Sequence, residues 1–267
     1  MDAYTIAARA SIGLVAGMLI GLTGIGGGVV LLPLLISVLG VPPIIGVGSD
    51  AVINFITKIG AGTLHWRRGN VSWSLALNLT YGSIPGTVLG VLLLARIRAV
   101  YGNGVNDVLR VAIAILLILI PIAYLFVQLP AVSQGDVKSM RIPDNNRLGV
   151  ALIGFVAGML IGVTSIGSGS IILLLLLVFY GYAPAVMVGT DLVHAVLLAG
   201  MTGLLQWRFG NVDPVLVATV LLGSIPGGLL GASLTKYLPS QLLKQMLCSL
   251  LVLVGARMLW MSVPHAK

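Results

Sequence analysis

Thr23-Gly24-Ile25-Gly26-Gly27-Gly28 interrupts an apolar run that extends from about Ala10 to Leu39. A near copy, Thr164-Ser165-Ile166-Gly167-Ser168-Gly169, follows 141 residues later inside an equivalent run. Glycine lets the backbone leave helical geometry and leaves its N–H groups uncovered. At membrane depth such backbone is tolerated only where it lines a cavity or packs inside protein. Two breaks in register therefore predict a cavity between two halves of one bundle. The apolar runs that follow them, 29–39 and 170–180, hold about 11 residues each. At about 1.5 Å per residue neither crosses a hydrocarbon core of about 30 Å, so both are expected to be half-helices or re-entrant segments.

Composition agrees with a membrane setting. The chain has 267 residues, 58% hydrophobic and only 8% charged, with a mean hydropathy of +1.10. Soluble domains carry roughly 25% charged residues. The expected fold class is an all-α polytopic membrane protein embedded in the lipid bilayer. The net charge of +8 comes from Lys+Arg 15 against Asp+Glu 7. These cations are scattered through short loops and segment ends, as bases that anchor spans and meet anionic headgroups are. No clustered basic face suggests a nucleic-acid partner. Cys248 is the only cysteine, so thiols give neither an internal disulfide nor a compartment. Carboxylates, thiols and histidines do not cluster, which argues against a metal site, and no cofactor is expected. Arg9 ahead of an apolar run resembles a leader peptide. Residues 154–162 mirror 13–21, however, so this segment is expected to be structural.

Apolar runs bounded by Gly, Pro and charge give five segments per half: about 10–22, 29–39, 44–64, 71–95 and 107–127, then about 148–163, 170–180, 186–205, 212–235 and 242–261. The expected organisation is a first transmembrane repeat over 1–127, a polar linker over 128–147 and a second repeat over 148–267. Gly13 to Gly90 aligns with Gly154 to Gly231 without a gap, through the pairs Gly48/Gly189, Asp50/Asp191, Trp66/Trp207, Asn70/Asn211 and Gly-Ser-Ile-Pro-Gly at 82–86 and 223–227. Internal duplication of this kind is common in secondary carriers, which bind substrate near mid-membrane at the repeat interface. Each half crosses an odd number of times, whether as five spans or as three plus a re-entrant hairpin, so the repeats are expected to be inverted. Basic residues fall on successive loops, and orientation stays open.

Helices starting at Val29 and Ser170 would aim free N–H groups and a positive dipole end at the breaks, an arrangement that favours an anion. The candidate cradle is Thr23, Gly24, Gly26, Gly27 and Gly28 from one break, and Thr164, Ser165, Gly167, Ser168, Gly169 and Ser170 from the other. The plain alternative is close helix packing, for which Gly13/Gly17/Gly21 and Gly154/Gly158/Gly162 are suited. The third segment carries Asp50, Asn54 and Lys58 at i, i+4 and i+8, and its counterpart carries Asp191 and His194. Ionisable groups at membrane depth call for a function and a partner. Lys58 is best partnered by Asp50 through Asn54 or by a bound anion, and His194 by Asp191. Asp50 and Asp191 lie near segment starts, where a carboxylate can also serve as a cap. Substrate binding is thus assigned to the cradle with Asn54, Lys58 and His194, and coupling or gating to Asp50, Asp191, His194, Arg67 and Arg208. The Trp-Arg-x-Gly-Asn ends that hold Arg67 and Arg208 read foremost as helix exits from a membrane. Pro85 and Pro226 are expected to kink their helices.

These residues resemble the TauE/SafE-type sulfite exporters. The likeness rests on Gly21-Leu22-Thr23-Gly24-Ile25-Gly26-Gly27-Gly28 with Pro33, on Gly48-Ser49-Asp50 and Gly189-Thr190-Asp191 with His194-Ala195, on Arg68-Gly69-Asn70-Val71, and on Gly-Ser-Ile-Pro-Gly in both halves. It implies a multi-pass permease of the bacterial inner membrane that exports sulfite or organosulfur anions, coupled to a proton or another ion. Ser72 replaces the acidic residue that the resemblance implies after Asn-Val, while Asp213 keeps it. Import, or carriage of another small solute, is the alternative within transport. A serine hydrolase built on Ser168 and His194 is the alternative outside it, disfavoured because the first repeat has Gly27 and Ile53 at those positions. No enzyme activity is expected, and the oligomeric state is left open.

Overall fold

The computed structural model describes residues 2–23, 27–126, 147–167, 172, 184–234 and 240–262. The described part is almost wholly helical and, among the described residues, contains no strand. Its helices are α1 (Ala3–Thr23), α2 (Gly27–Ser37), α3 (Pro43–Arg67), α4 (Trp73–Tyr101), a 3-10 turn (Gly102–Gly104), α5 (Val105–Phe126), α6 (Arg147–Thr164), α7 (Pro184–Arg208), α8 (Pro214–Leu234) and α9 (Ser240–Ser262). The expected linker lies outside the described residues except for Arg147, which opens α6, as does the segment 170–180 except for Ile172. Among the described residues, five stretches are long and apolar enough to cross a membrane: Ala3–Leu22, Pro43–Arg67, Trp73–Ala123, Val186–Arg208 and Pro214–Gly231. Large apolar side chains such as Leu93, Leu222, Leu229 and Leu253 point outward, as a lipid-facing surface requires.

Two boundaries differ from expectation. α1 begins well before the apolar run, because Tyr4, Thr5 and Ile6 continue the same helix. α2 begins at Gly27 rather than Val29, so part of the glycine break is itself helical. With 11 residues, α2 is about 16 Å long and cannot span. Val29, Leu31, Leu32 and Leu35 are fully buried, so it is enclosed by protein rather than by lipid. Pro85 and Pro226 lie inside helices that run on past them.

Glycines set the helix packing. A β-carbon on Gly13 or Gly17 of α1 would overlap the backbone of Val220 or Ser224 in α8, and one on Gly154 or Gly158 of α6 would overlap Leu79 or Ser83 in α4. From the facing side, Gly82, Gly86 and Gly90 of α4 abut Ala151, Phe155 and Met159, while Gly223, Gly227 and Gly231 of α8 abut Ala10, Leu14 and Met18. Every one of these contacts recurs with its residue numbers shifted by 141. α1 is thus seated on α8, and α6, its counterpart 141 residues on, is seated on α4. Rising numbers meet rising numbers, so α1 and α8 are parallel, as are α4 and α6. Between α3 and α7, Val52 meets Gly203, Phe55 meets Gly200, and Gly62 meets Leu192 and Val196. Rising numbers there meet falling ones, and the two helices cross antiparallel.

Candidate polar site at the crossing of the two halves

The α3–α7 crossing carries a set of buried ionisable residues. Asp50, Asn54 and Lys58 on α3, and Asp191 and His194 on α7, are each at most 4% exposed. Lys58 falls between the Phe55–Gly200 and Gly62–Leu192 contacts, whereas Asp50 and Asp191 lie beyond opposite ends of that interface. The carboxylates are therefore about 20 Å apart along the axis, with the one ammonium between them. Lys58 lies within reach of both charges. His194 lies within reach of the Lys58 charge.

Neither aspartate is a helix cap. α3 starts at Pro43 and α7 at Pro184, which puts Asp50 and Asp191 two turns into their helices and out of solvent. The cap reading came from segment starts drawn at the apolar runs, whereas proline at the first helical position sets the true starts. The expected pairing of His194 with Asp191 is also corrected. His194 Nε2 meets Ser83 Oγ of α4 at 2.7 Å, and Ser83 Oγ donates to the Leu79 carbonyl at 2.8 Å. His194 Nδ1 is buried, with no hydrogen-bond partner among the described residues.

Asp50 is where the two breaks meet. Its Oδ2 accepts hydrogen bonds from Asn54 Nδ2 (2.8 Å) and from Ser165 Oγ (2.7 Å), and Ser165 belongs to the turn that ends α6. A β-carbon on Gly28 would press on the Ser165 carbonyl and stand 3.1 Å from Asp50 Oδ2, and one on Gly27 would strike Asn54 Oδ1. The N-terminus of α2 is thus faced by a carboxylate of this chain. Ser165 adopts φ 59°, a left-handed conformation unusual for a residue with a side chain, and Gly167 follows at φ 126°. Thr164 is spent on local structure, since its Oγ1 donates to the Leu160 carbonyl (2.7 Å) and accepts from Ile166 N (3.2 Å).

The structure thus brings together Gly27, Gly28, Asp50, Asn54 and Ser165, with Lys58, Asp191 and His194 along the same crossing. It does not bring in Arg67 and Arg208, which are exposed at the ends of α3 and α7 beside Trp66 and Trp207. Gly69 and Gly210, at φ 70° and 69°, close these helices as left-handed caps. Thr23 ends α1, and its side chain, like Gly24, Gly26, Ser168, Gly169 and Ser170, is outside the described residues.

Sequence reasoning missed three partners. Ser83 sat in a motif read for its proline. Ser49 and Thr190 accept the backbone N–H groups of Asp213 (3.1 Å) and Ser72 (2.9 Å) respectively, a contact pair that again shifts by 141. Asp213 Oδ1 accepts from the backbone N–H groups of Val215 (2.9 Å) and Leu216 (3.0 Å), which makes it the N-cap of α8. Ser72 occupies the N-cap position of α4 without a side-chain bond. That explains the one departure from the resemblance as a cap kept in one half only. Gln206 accepts from Asn211 Nδ2 (2.6 Å), and Arg98 of α4 bonds Asn211 Oδ1 and the Phe209 carbonyl (3.3 Å).

Residues 10–258 match the sulfite exporter TauE/SafE family, and the chain belongs to it. Among curated proteins it is 36% identical over 248 residues to the probable membrane transporter protein YjnA of Bacillus subtilis, covering 92% of this chain and 97% of that one. It is 26% identical over 228 residues to the probable membrane transporter protein YdhB of the same organism, covering 85% and 89%. The probable membrane transporter protein YunE, also from Bacillus subtilis, is 22% identical over 272 residues, covering 94% and 96%. No solved structure matches the chain. Family and helices together make this a multi-pass membrane transporter.

Proposed function

We propose that this member of the sulfite exporter family is a secondary carrier of the bacterial inner membrane that moves a small anion, such as sulfite or an organosulfur anion, outward. The observation that carries the reading is Lys58, buried halfway along a spanning helix at the crossing of the two halves. A lysine there is costly unless it meets negative charge. Its resident partners are Asp50 and Asp191. An entering anion competes with them for the ammonium, so carboxylates and cargo alternate at one cation. The extra buried negative charge asks for a proton or another cation to accompany each cycle, which gives Asp50 and Asp191 the coupling role. The antiparallel α3 and α7 and the contact set repeated at 141 residues support inverted repeats rocking about this crossing.

The test is uptake of labelled sulfite, sulfate and taurine by proteoliposomes, with and without an imposed ion gradient. Lys58→Ala is expected to abolish anion movement with normal membrane insertion, and Lys58→Arg to retain part of it. Wild-type sulfite flux in Lys58→Ala would remove the basis of the proposal.

A further inference from the structure

We propose that Asp50, Asn54 and Ser165 form a binding site for one monovalent alkali cation, of which sodium fits best, at the junction of α3, the N-terminal end of α2 and the C-terminal end of α6. The proposal deepens the carrier reading by naming the coupling ion, but its test is binding without transport, so the two can fail separately.

The geometry rests first on Asp50. It is fully buried, and Oδ2 takes two neutral donors, Ser165 Oγ at 2.7 Å and Asn54 Nδ2 at 2.8 Å. Oδ1 has no hydrogen-bond partner among the described residues. A buried carboxylate held this way calls for a cation or a proton at its second oxygen. Lys58, two turns along α3, is shared between Asp50 and Asp191, so one ammonium faces two carboxylates. Two further side-chain oxygens belong to the residues bonded to Asp50. Because Asn54 Nδ2 is committed to Asp50, its Oδ1 is turned toward Gly27 as an acceptor. Ser165 Oγ keeps its lone pairs after donating its hydrogen. The left-handed turn at Ser165 lies at the end of α6, where terminal carbonyls and the negative end of the helix dipole favour a cation. Broken helices in carriers hold Na⁺ with such C-terminal ends.

Charge and ligand type select the ion. One carboxylate balances one positive charge, and no group of three or more His, Cys, Asp or Glu capable of holding a metal occurs among the described residues, so a divalent or transition metal is disfavoured. The internal duplication supplies a control within the molecule. The positions equivalent to Asn54 and Ser165 are Ala195 and Gly24, which leaves Asp191 without either side-chain oxygen. One site, not two, is therefore expected per chain.

The full-length protein in detergent would be unfolded by heat while sodium chloride replaces choline chloride at constant ionic strength, with potassium and lithium in parallel and the series repeated at several pH values. The expected result is a saturable rise in unfolding temperature with sodium, weaker with potassium, and one ²²Na⁺ bound per chain. Asp50→Asn should abolish the response. Ser165→Ala, which retains the carboxylate, should raise the half-saturating sodium concentration by about 10-fold or more. Asp107→Asn, at an exposed carboxylate paired with Arg110, should leave it unchanged. Should Asp50→Asn fail to fold, Ser165→Ala and Asn54→Ala carry the test alone. Unfolding that ignores sodium but follows pH would assign Asp50 to a proton and overturn the proposal. An equal response to all three cations that survives Ser165→Ala would overturn it as well.

Discussion

Replacing Gly158 by alanine should loosen one helix crossing and, through it, a buried histidine. An added β-carbon would stand 2.7 Å from Ser83 Cα and 2.8 Å from the Ser83 carbonyl carbon, and closer still to the carbonyl oxygen. Ordinary contact begins near 3.4 Å, so α4 and α6 must part by the better part of an ångström. Such overpacking costs about 1–3 kcal/mol. The obstacle is backbone, which has no rotamer to yield. Ser83 also holds His194 Nε2 at 2.7 Å, so the same displacement stretches that bond. Gly17→Ala provides the comparison, because its β-carbon would meet Ser224 Cα at 2.8 Å in the equivalent crossing of α1 and α8. There the position equivalent to His194 is Ile53, and Ser224 Oγ has no hydrogen-bond partner among the described residues. Thermal unfolding of both variants in detergent should show similar losses of stability, while the NMR shifts of a ¹⁵N-labelled imidazole at His194 should move in Gly158→Ala alone. If both variants unfold like wild type, the close approach is not what holds these helices. If His194 shifts equally in both, its coupling to the α4–α6 crossing is wrong.

Two further outcomes follow from the same geometry. Asp213→Ala should destabilise by about 1 kcal/mol through loss of the α8 cap, and Ser72→Asp should recover a few tenths to about 1 kcal/mol by supplying a cap to α4, both read by thermal unfolding. Lys58→Met should be strongly destabilising, on the order of 3–5 kcal/mol, since it leaves two buried carboxylates without their ammonium. Adding Asp191→Asn should restore part of that loss. A double variant no more stable than Lys58→Met would disprove the charge coupling.

Much of the frame was legible because lipid imposes a simple grammar. Uninterrupted apolar length gave the spanning helices, and the short run after Gly28 gave α2 as a helix that cannot cross. The polar line on α3 followed from i, i+4 spacing. Partners across helices were not legible. His194 was matched to the nearest acid in sequence, Asp191, whereas the α4–α7 packing delivers Ser83 from 111 residues away. Ser165 reaches Asp50 across 115 residues by the same kind of tertiary placement. Periodicity reports which face of a helix is polar; it carries no information on which other helix that face meets. The cap alternative for the aspartates fails because hydropathy marks where apolar side chains begin, not where backbone hydrogen bonding does. Arg67 and Arg208 show the opposite case, since aromatic belt, basic end and left-handed glycine are all local signals, and the observed helix ends fit them.

The exchange of first and fourth helices between halves bears on how such a chain could arise. Among the described residues, α1 has its glycine-lined seat on α8, and α6 has its seat on α4. Neither half could bury these grooves alone, so each folds as a fragment of a larger whole. A polypeptide of half the length could still make every contact in the set by meeting a second copy of itself laid the other way up in the bilayer. Loops without a decided bias of basic charge are what such two-way insertion requires. Fusion of two such copies would free each to change separately: in this chain Asn54, Lys58 and Ser165 have no like residue at the position 141 away, and neither has His194. A symmetric dimer of that kind would present identical chemistry to both faces of the membrane, and a fused chain with unlike residues at matching positions would not.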